Sequence, residues 1–348
     1  MERITIKEIA ALAGVSIGTV DRVIHNRGHV DPDKEAQIRQ ICKQHGYEPN
    51  LLARAMMLRN KNMKVAVMVN APEKNTFSAH VVQGFQAVRE ELKDYNITFD
   101  YYYLCDNTVE EQLNYLDKIR GEEYAGLVIK PMNDEAVKNR LGAMIQDGIP
   151  IVTVTSGLPE FNSLCFIGQN HFKEGRMAAN MLLKCRPFVG DIVIMTLQKR
   201  ILSRAQKIQG FRSYLAEYGK EKHIKEIVEF EDNNQSAYET TRKILERFPG
   251  LEGLYVQNAC LDQVFRALGE AGRLKEVTAF SFGTKENLQE YLADGKLAFG
   301  IEESPFEHGY CAGKEILNYL MTGKRPEERK KLVEAHILIE ESVNDAPC

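Results

Sequence analysis

The sequence has no uninterrupted apolar run of the length a membrane-spanning helix requires. Its opening residues, Met1-Glu2-Arg3-Ile4-Thr5-Ile6-Lys7-Glu8, alternate charge with apolar side chains and lack the continuous apolar stretch of a secretory signal, so a cytoplasmic location is expected. The seven cysteines, Cys42, Cys105, Cys165, Cys185, Cys260, Cys311 and Cys348, are scattered, with no close pair at redox or zinc spacing. They read as ordinary buried thiols, and neither a metal nor a cofactor is expected. Also missing are the phosphate-cradling Gly-x-x-x-x-Gly-Lys-Ser/Thr and the nucleophile-bearing Gly-x-Ser-x-Gly. Glu302 and Glu303 are adjacent carboxylates, which point apart on a strand and so do not make a general acid and base pair. Catalysis is not expected.

What is present fits a multidomain globular chain. The 348 residues exceed one ordinary domain and suggest two or three, with 44% hydrophobic and 27% charged residues in the usual range. The net charge of -4 is unevenly spread. Residues 1–62 carry ten Lys and Arg against seven Asp and Glu, while the remainder carries 35 against 42. This small N-terminal basic excess proves nothing alone, because a solvated helix face looks the same.

Three short helices are expected in the first 46 residues. Thr5-Ile6-Lys7-Glu8 is a capping-box signature, Ile6, Ile9, Ala10 and Ala13 share one helical face, and Gly14 supplies the stop. Ser16 can cap a second helix running to about His25, with Val20, Val23 and Ile24 inward. Asp31-Pro32 opens a third, whose inner face is Ile38, Ile41 and Cys42. Asn50 can cap a short linker helix, Leu51 to Leu58, that exposes Leu51, Leu52, Met56 and Met57.

From Met63 the pattern becomes apolar strands alternating with amphipathic helices, the signature of parallel sheets. Strands are expected at 65–69, 98–103, 126–129 and 149–154, then at 191–195, 224–228, 253–256, 277–282, 297–301 and 336–339. Helical partners include 81–92, 108–120, 174–184 and 306–321. Two such sets suggest two similar lobes with ligand in the cleft at the strand C-termini.

The first two helices read as a helix-turn-helix. The second opens with Ser16-Ile17-Gly18-Thr19-Val20-Asp21-Arg22, where Arg22 offers a bidentate donor fork to guanine and Ile17 an apolar contact to a thymine methyl. Ser16, Thr19, Asn26 and His29 suit phosphate contacts. On pattern alone, a small helical bundle with solvated Arg22 and Asn26 reads equally well.

The stretch Ile6-Lys7-Glu8-Ile9-Ala10-Ala11-Leu12-Ala13-Gly14-Val15-Ser16, then Thr19-Val20-Asp21-Arg22-Val23-Ile24 and Gly46-Tyr47-Glu48-Pro49-Asn50, resembles the headpiece of the lactose-repressor family. The resemblance covers essentially the whole chain. It implies a three-helix helix-turn-helix headpiece on an α/β two-lobed, type I periplasmic-binding-protein-like core with parallel sheets. The implied divisions are a headpiece at 1–48, a hinge helix and linker at 49–62, a first lobe at 63–168 with 304–336, and a second at 169–303 with 337–348. The implied function is effector-controlled repression by a homodimer on palindromic double-stranded DNA, with a tetramer left open.

The resemblance adds Thr5, Gly18, Asp21, Tyr47, Asn50, Ala53 and Met56 to the DNA-facing residues, Met56 standing where the family places a leucine wedge. Asp21 departs from a common serine and should weaken phosphate contacts unless Arg22 or Arg27 compensates. Matched cleft positions are Asn75, Phe77, Met132, Thr155, Ser156, Gln169, Arg204, Asn258, Gly283 and Glu303, with Asn170 beside them. Hydroxyls and amides with one aromatic suit a neutral polyol, so a carbohydrate is expected. A phosphorylated sugar would instead use Arg204 or Lys130. Two other classes stay open on the same fold, a solute-binding protein and an enzyme.

Overall fold

The computed structural model describes residues 4–24, 30–45, 47, 63–74, 76–93, 95–186, 190–197, 201–257 and 260–344. The expected sites Asn26, His29, Asn50, Ala53, Met56, Asn75 and Asn258, and the linker helix at 51–58, lie outside the described residues.

The headpiece helices are α1 (Ile6–Ala13), α2 (Ile17–Ile24) and α3 (Pro32–Gln44). The capping box forms as read: Thr5 Oγ1 accepts from Glu8 N at 3.3 Å, and Thr5 N donates to the Glu8 carboxylate at 2.7 Å. Gly14 ends α1 in the left-handed region at φ 63°, a conformation that a Cβ would strain. Ser16 Oγ caps α2 by accepting from Thr19 N, and Asp31 caps α3 by accepting from Asp33 N and Lys34 N. The three helices close on Ile9, Ala10, Ala13, Val20, Val23 and Ile38.

The rest of the chain forms two six-stranded sheets, each covered on both faces by helices. The first contains β1 (Met63–Asn70), β2 (Ile97–Leu104), β3 (Gly126–Ile129), β4 (Ile151–Val154), β5 (Cys165–Gly168) and β11 (Lys330–Leu332), ordered β11-β5-β4-β3-β1-β2 and parallel throughout. Helices α4 (Thr76–Glu91) and α12 (Pro305–Thr322) cover one face, with α5 (Val109–Arg120) and α6 (Glu135–Gln146) on the other.

The second sheet contains β6 (Asp191–Thr196), β7 (Ile224–Glu229), β8 (Leu251–Val256), β9 (Thr278–Gly283), β10 (Phe299–Glu302) and β12 (His336–Leu338), ordered β12-β10-β9-β8-β6-β7. Helices α7 (His171–Cys185) and α8 (Leu202–Glu217) cover one face, and α9 (Asn234–Arg247), α10 (Leu261–Glu270) and α11 (Lys285–Ala293) the other. A terminal helix α13 (Glu340–Val343) packs on α11.

Three details differ from the sequence reading. Strand β12 runs antiparallel to β10, so the second sheet is not wholly parallel. It already includes His336, paired with Glu302, one residue ahead of the expected lobe boundary. Strands β5 and β11 were not expected: each is only three or four residues long, and β11 is a solvent-exposed edge.

In each lobe, one helix pair packs backbone against backbone. A Cβ on Gly84 of α4 would overlap the Phe306 carbonyl, and one on Gly309 of α12 would overlap that of Val81. In the second lobe, Gly175 of α7 meets the Lys207 carbonyl and Gly210 of α8 meets that of Phe172 in the same way. The chain crosses between lobes from β5 to α7, from β10 to α12 and from β11 to β12. The α7/α8 contact brings Glu174 and Lys207, both facing the helix interface, next to the first two crossings.

Candidate functional site

Two surfaces carry the expected functional residues, and the outer face of α2 is the first. Val20 and Val23 are buried against the headpiece core, which turns Ile17, 53% exposed, and Arg22 outward. Among the described residues, the atom nearest a notional Cβ on Gly18 is Ser16 Oγ at 3.7 Å, and Gly18 itself is exposed. The Ser16 and Thr19 hydroxyls lie 2.9 Å apart, which holds both beside the helix start. Tyr47 packs on the headpiece core, where burial, then Cys42 and Asp21, raise its phenol above the usual range. Asp21 is therefore an electrostatic neighbour of Tyr47, a pairing invisible in the spacing of the two residues.

The second surface is the cleft at the strand C-termini. Thr155, immediately after β4, has φ 65°, an outlying conformation for a β-branched residue. Its hydroxyl lies 3.3 Å from His308 Nδ1, and its carbonyl accepts from His171 Nε2 at 3.4 Å. Phe77 meets the His308 ring edge-on, with centroids 5.7 Å apart. Burial first, with help from His171, brings His308 down to about 3, so its imidazole is neutral at physiological pH.

Behind these residues lies an ionic cluster of which the sequence reading named only Glu303. His171 Nδ1 lies 3.1 Å from Glu174, and the Lys207 ammonium is placed between Glu174, at 3.5 Å, and Glu303. Burial pushes the Glu174 carboxyl up, but Lys207 and His171 outweigh it and hold the group below the usual range. Lys207 also stands over the Phe282 ring, 4.5 Å from its centroid. A signal for this cluster was present: Glu174, Lys207 and His308 each fall on the apolar face of their helix, where an uncompensated charge is costly.

The expected cleft residues fall into groups. Thr155, Ser156 and Gln169 line a groove of about 650 Å³ beside the crossings, together with Asn170, Phe172 and Gln206. Gln169 donates to the Glu302 carbonyl at 3.4 Å and leaves its own amide oxygen buried and unpartnered among the described residues. Asn170 caps α7 through Lys173 N. Arg204 and Glu303 are electrostatic neighbours, and the Glu303 carboxylate is engaged by Lys207. Gly283 contributes its carbonyl, which accepts from Glu303 N. Met132 N donates to buried Gln112, whose amide nitrogen in turn reaches the Lys130 carbonyl. No group of His, Cys, Asp and Glu that could hold a metal ion occurs among the described residues. Nor is any described helix long and apolar enough to cross a membrane.

Two stretches of the chain match known families. The family of bacterial regulatory proteins named for lacI matches residues 5–50, and the periplasmic binding protein domain matches residues 65–325. Catabolite control protein A of Priestia megaterium is 25% identical over 244 residues, 70% of each chain. The HTH-type transcriptional regulator CelR of Thermobifida fusca is 23% identical over 354 aligned positions, 98% of each chain. The HTH-type transcriptional repressor PurR of Histophilus somni is 27% identical over 247 residues, 69% of each. Among solved structures, the glucose-galactose binding protein GanP of Geobacillus stearothermophilus superposes with a TM-score of 0.72 at 19% identity, covering 83% of this chain and all of that one. A solute-binding protein of Burkholderia graminis C4D1M in complex with D-arabinose gives 0.74 at 17%, covering 82% and 98%. At such identities these two likenesses establish the fold.

Proposed function

The chain belongs to the lacI family of bacterial regulatory proteins, so it is a DNA-binding regulator of transcription under small-molecule control, and we propose that it acts as a homodimeric repressor on a two-fold symmetric operator. The observation that carries this reading is the outer face of α2, where Ile17 and Arg22 stand exposed on a helix whose opposite face is buried. That helix enters the major groove. Arg22 takes a guanine edge, Ile17 a thymine methyl, and the Ser16 and Thr19 hydroxyls the flanking phosphates. Thr5 and Tyr47 brace the headpiece on the backbone, and residues 49–62 form the connector over the central minor groove. The protein works where its DNA is, in the cytoplasm, and performs no catalysis of its own.

The effector occupies the cleft between the lobes. The core's likeness to proteins named for binding glucose, galactose and arabinose favours a polyhydroxylated effector, and Thr155, Ser156 and Gln169 supply suitable donors and acceptors. Binding changes the relation of the lobes and hence of the two connectors in the dimer. The effector must prefer one arrangement, since equal affinity for both shifts nothing. Deleting residues 1–62 tests the division of labour. The shortened protein is expected to lose sequence-selective DNA binding and keep effector binding; a core that still selected DNA would overturn the reading.

A further inference from the structure

The groove of about 650 Å³ reaches past the expected cleft positions. It spans from Thr155, whose hydroxyl lies 3.3 Å from the His308 ring that packs on Phe77, to Leu332 on the exposed β11 edge. Of the other described cleft positions, Phe77, Met132, Arg204, Gly283 and Glu303 do not line it. Its walls come from both lobes, and each wall carries a phenyl ring. Phe166 of β5 is the ring of the first lobe. It occupies the space that a Cβ on Gly168 would fill, and a Cβ on Gly157 would meet the same ring at 3.4 Å, so two glycines seat it. Phe172 of α7 is its counterpart in the second lobe, 36% exposed although large and apolar. Beside the rings stand uncharged polar groups. The Ser156 hydroxyl in the first lobe, and the Ser203 hydroxyl and Gln206 amide on α8, have no hydrogen-bond partner among the described residues. Gln169, buried at the crossing, keeps its amide oxygen unpartnered there too. The ionisable groups of the groove are engaged or solvated: His171 lies against Glu174 and the Thr155 carbonyl, Arg329 donates to Asn162 at 2.8 Å, and Glu160 and Lys330 are exposed.

We propose that this groove is a subsite for a second sugar unit, so that the effector is a neutral saccharide of two or more units, one in the inner cleft and the next between Phe166 and Phe172. This rests on the cleft being the effector site of a regulator. Apolar rings with a few placed hydroxyl and amide groups suit a saccharide, whose C–H faces pack on phenyl rings while each hydroxyl both donates and accepts. The volume lies within the range of pockets that bury whole small ligands, so the groove takes a complete sugar unit beside the one in the inner cleft. Its rings and unengaged polar groups are divided between the lobes. The second unit therefore binds tightly only at one arrangement of the lobes, which gives the differential affinity that control requires. A monosaccharide occupies only one of the two regions at a time.

The chain has no tryptophan, so Phe172→Trp gives the full-length protein a single indole reporter on the groove wall. Its emission is followed as maltose, cellobiose, lactose and sucrose are added, and separately glucose, galactose and fructose. At least one disaccharide is expected to shift the emission saturably, and its constituent monosaccharides to act only at concentrations higher by about tenfold or more. Phe166→Ala and Gln206→Ala, each made in the reporter protein, are expected to weaken that disaccharide by about fivefold or more. The two substitutions lie on opposite walls, so the test stands should one of them fail to fold. A reporter silent across the panel, a monosaccharide that binds as tightly as the disaccharide, or a disaccharide indifferent to the substitutions would overturn the proposal. Selection of DNA from a random pool by the same preparation keeps the two failures apart. A protein that selects DNA but does not distinguish disaccharides loses only the second subsite, whereas one that selects no DNA loses the regulator reading.

Discussion

Lys207 and Glu303 form a buried ion pair that ties the wall of the second lobe to the segment where the chain returns to the first. Glu174 completes the arrangement from the neighbouring helix, so one ammonium serves two carboxylates at the point where two crossings meet.

Lys207→Met removes the ammonium that Glu174 and Glu303 share. Removing one partner of such a cluster costs about 3–5 kcal/mol, which urea unfolding of the variant at pH 7 should show. Glu174 is held below the usual carboxylate range in the folded protein, so its stabilising share is present above the unfolded value and fades as pH falls through the folded one. The difference between variant and wild type should therefore shrink in acid. A difference that stayed constant from pH 7 to pH 3 would contradict the ionic role.

His308 predicts a second pH dependence. Buried, and facing His171, Glu174 and Lys207, it is brought to about 3 in the folded protein. Between that value and the ordinary histidine range, the unfolded chain takes up a proton that the folded one refuses, so stability falls with falling pH. One such group contributes a slope of up to about 1.4 kcal/mol per pH unit. In His308→Leu the stability slope between pH 6 and pH 4 should flatten by roughly that amount, whatever the variant's stability at pH 7.

Arg22→Ala should weaken binding to the selected operator by about 1–3 kcal/mol and relax preference at one base pair in each half-site. Binding to unrelated DNA should change far less. Equal losses on both DNAs, measured by fluorescence anisotropy at one salt concentration, would remove Arg22 from base reading.

Gly309→Ala should destabilise the first lobe by about 1–3 kcal/mol, because the new methyl group meets the Val81 carbonyl and forces α4 and α12 apart. Gly142→Ala is the control. It lies within α6 with nothing inside 4 Å of a notional Cβ, so it should stabilise by roughly 0.5–1 kcal/mol. Thermal unfolding of both variants decides, and equal effects would deny the close helix contact.

The headpiece was legible in the sequence because its signals are local: a capping box, a glycine stop and a proline start lie within a few residues of what they control. The long strands were legible from apolar runs. Strand β5 was not, because Cys165–Gly168 is a four-residue segment following a polar loop, and β11 was not, because Lys330, Lys331 and Leu332 are exposed and take their pairing from β5. The cleft was legible only as loops after strands. Its ionic cluster joins α7 and α8 to Glu303 after β10, and the His308 to Thr155 contact beside it spans 153 positions; apolar-face patterning marks the single charged residues, but spacing carries no trace of which of them meet. The helix starts shifted for a local reason: Asn170 caps α7 at His171, three residues before the apolar pattern alone placed it.

The facing glycines of α4 and α12 have a mechanical meaning. Helices locked backbone to backbone leave little room for sliding, so the first lobe turns as one solid block, and β1, whose first residue is Met63, is fastened into its middle between β2 and β3. On the proposed mechanism, a swivel of the lobes would be passed as a rigid turn to the point where the chain enters β1 at Met63.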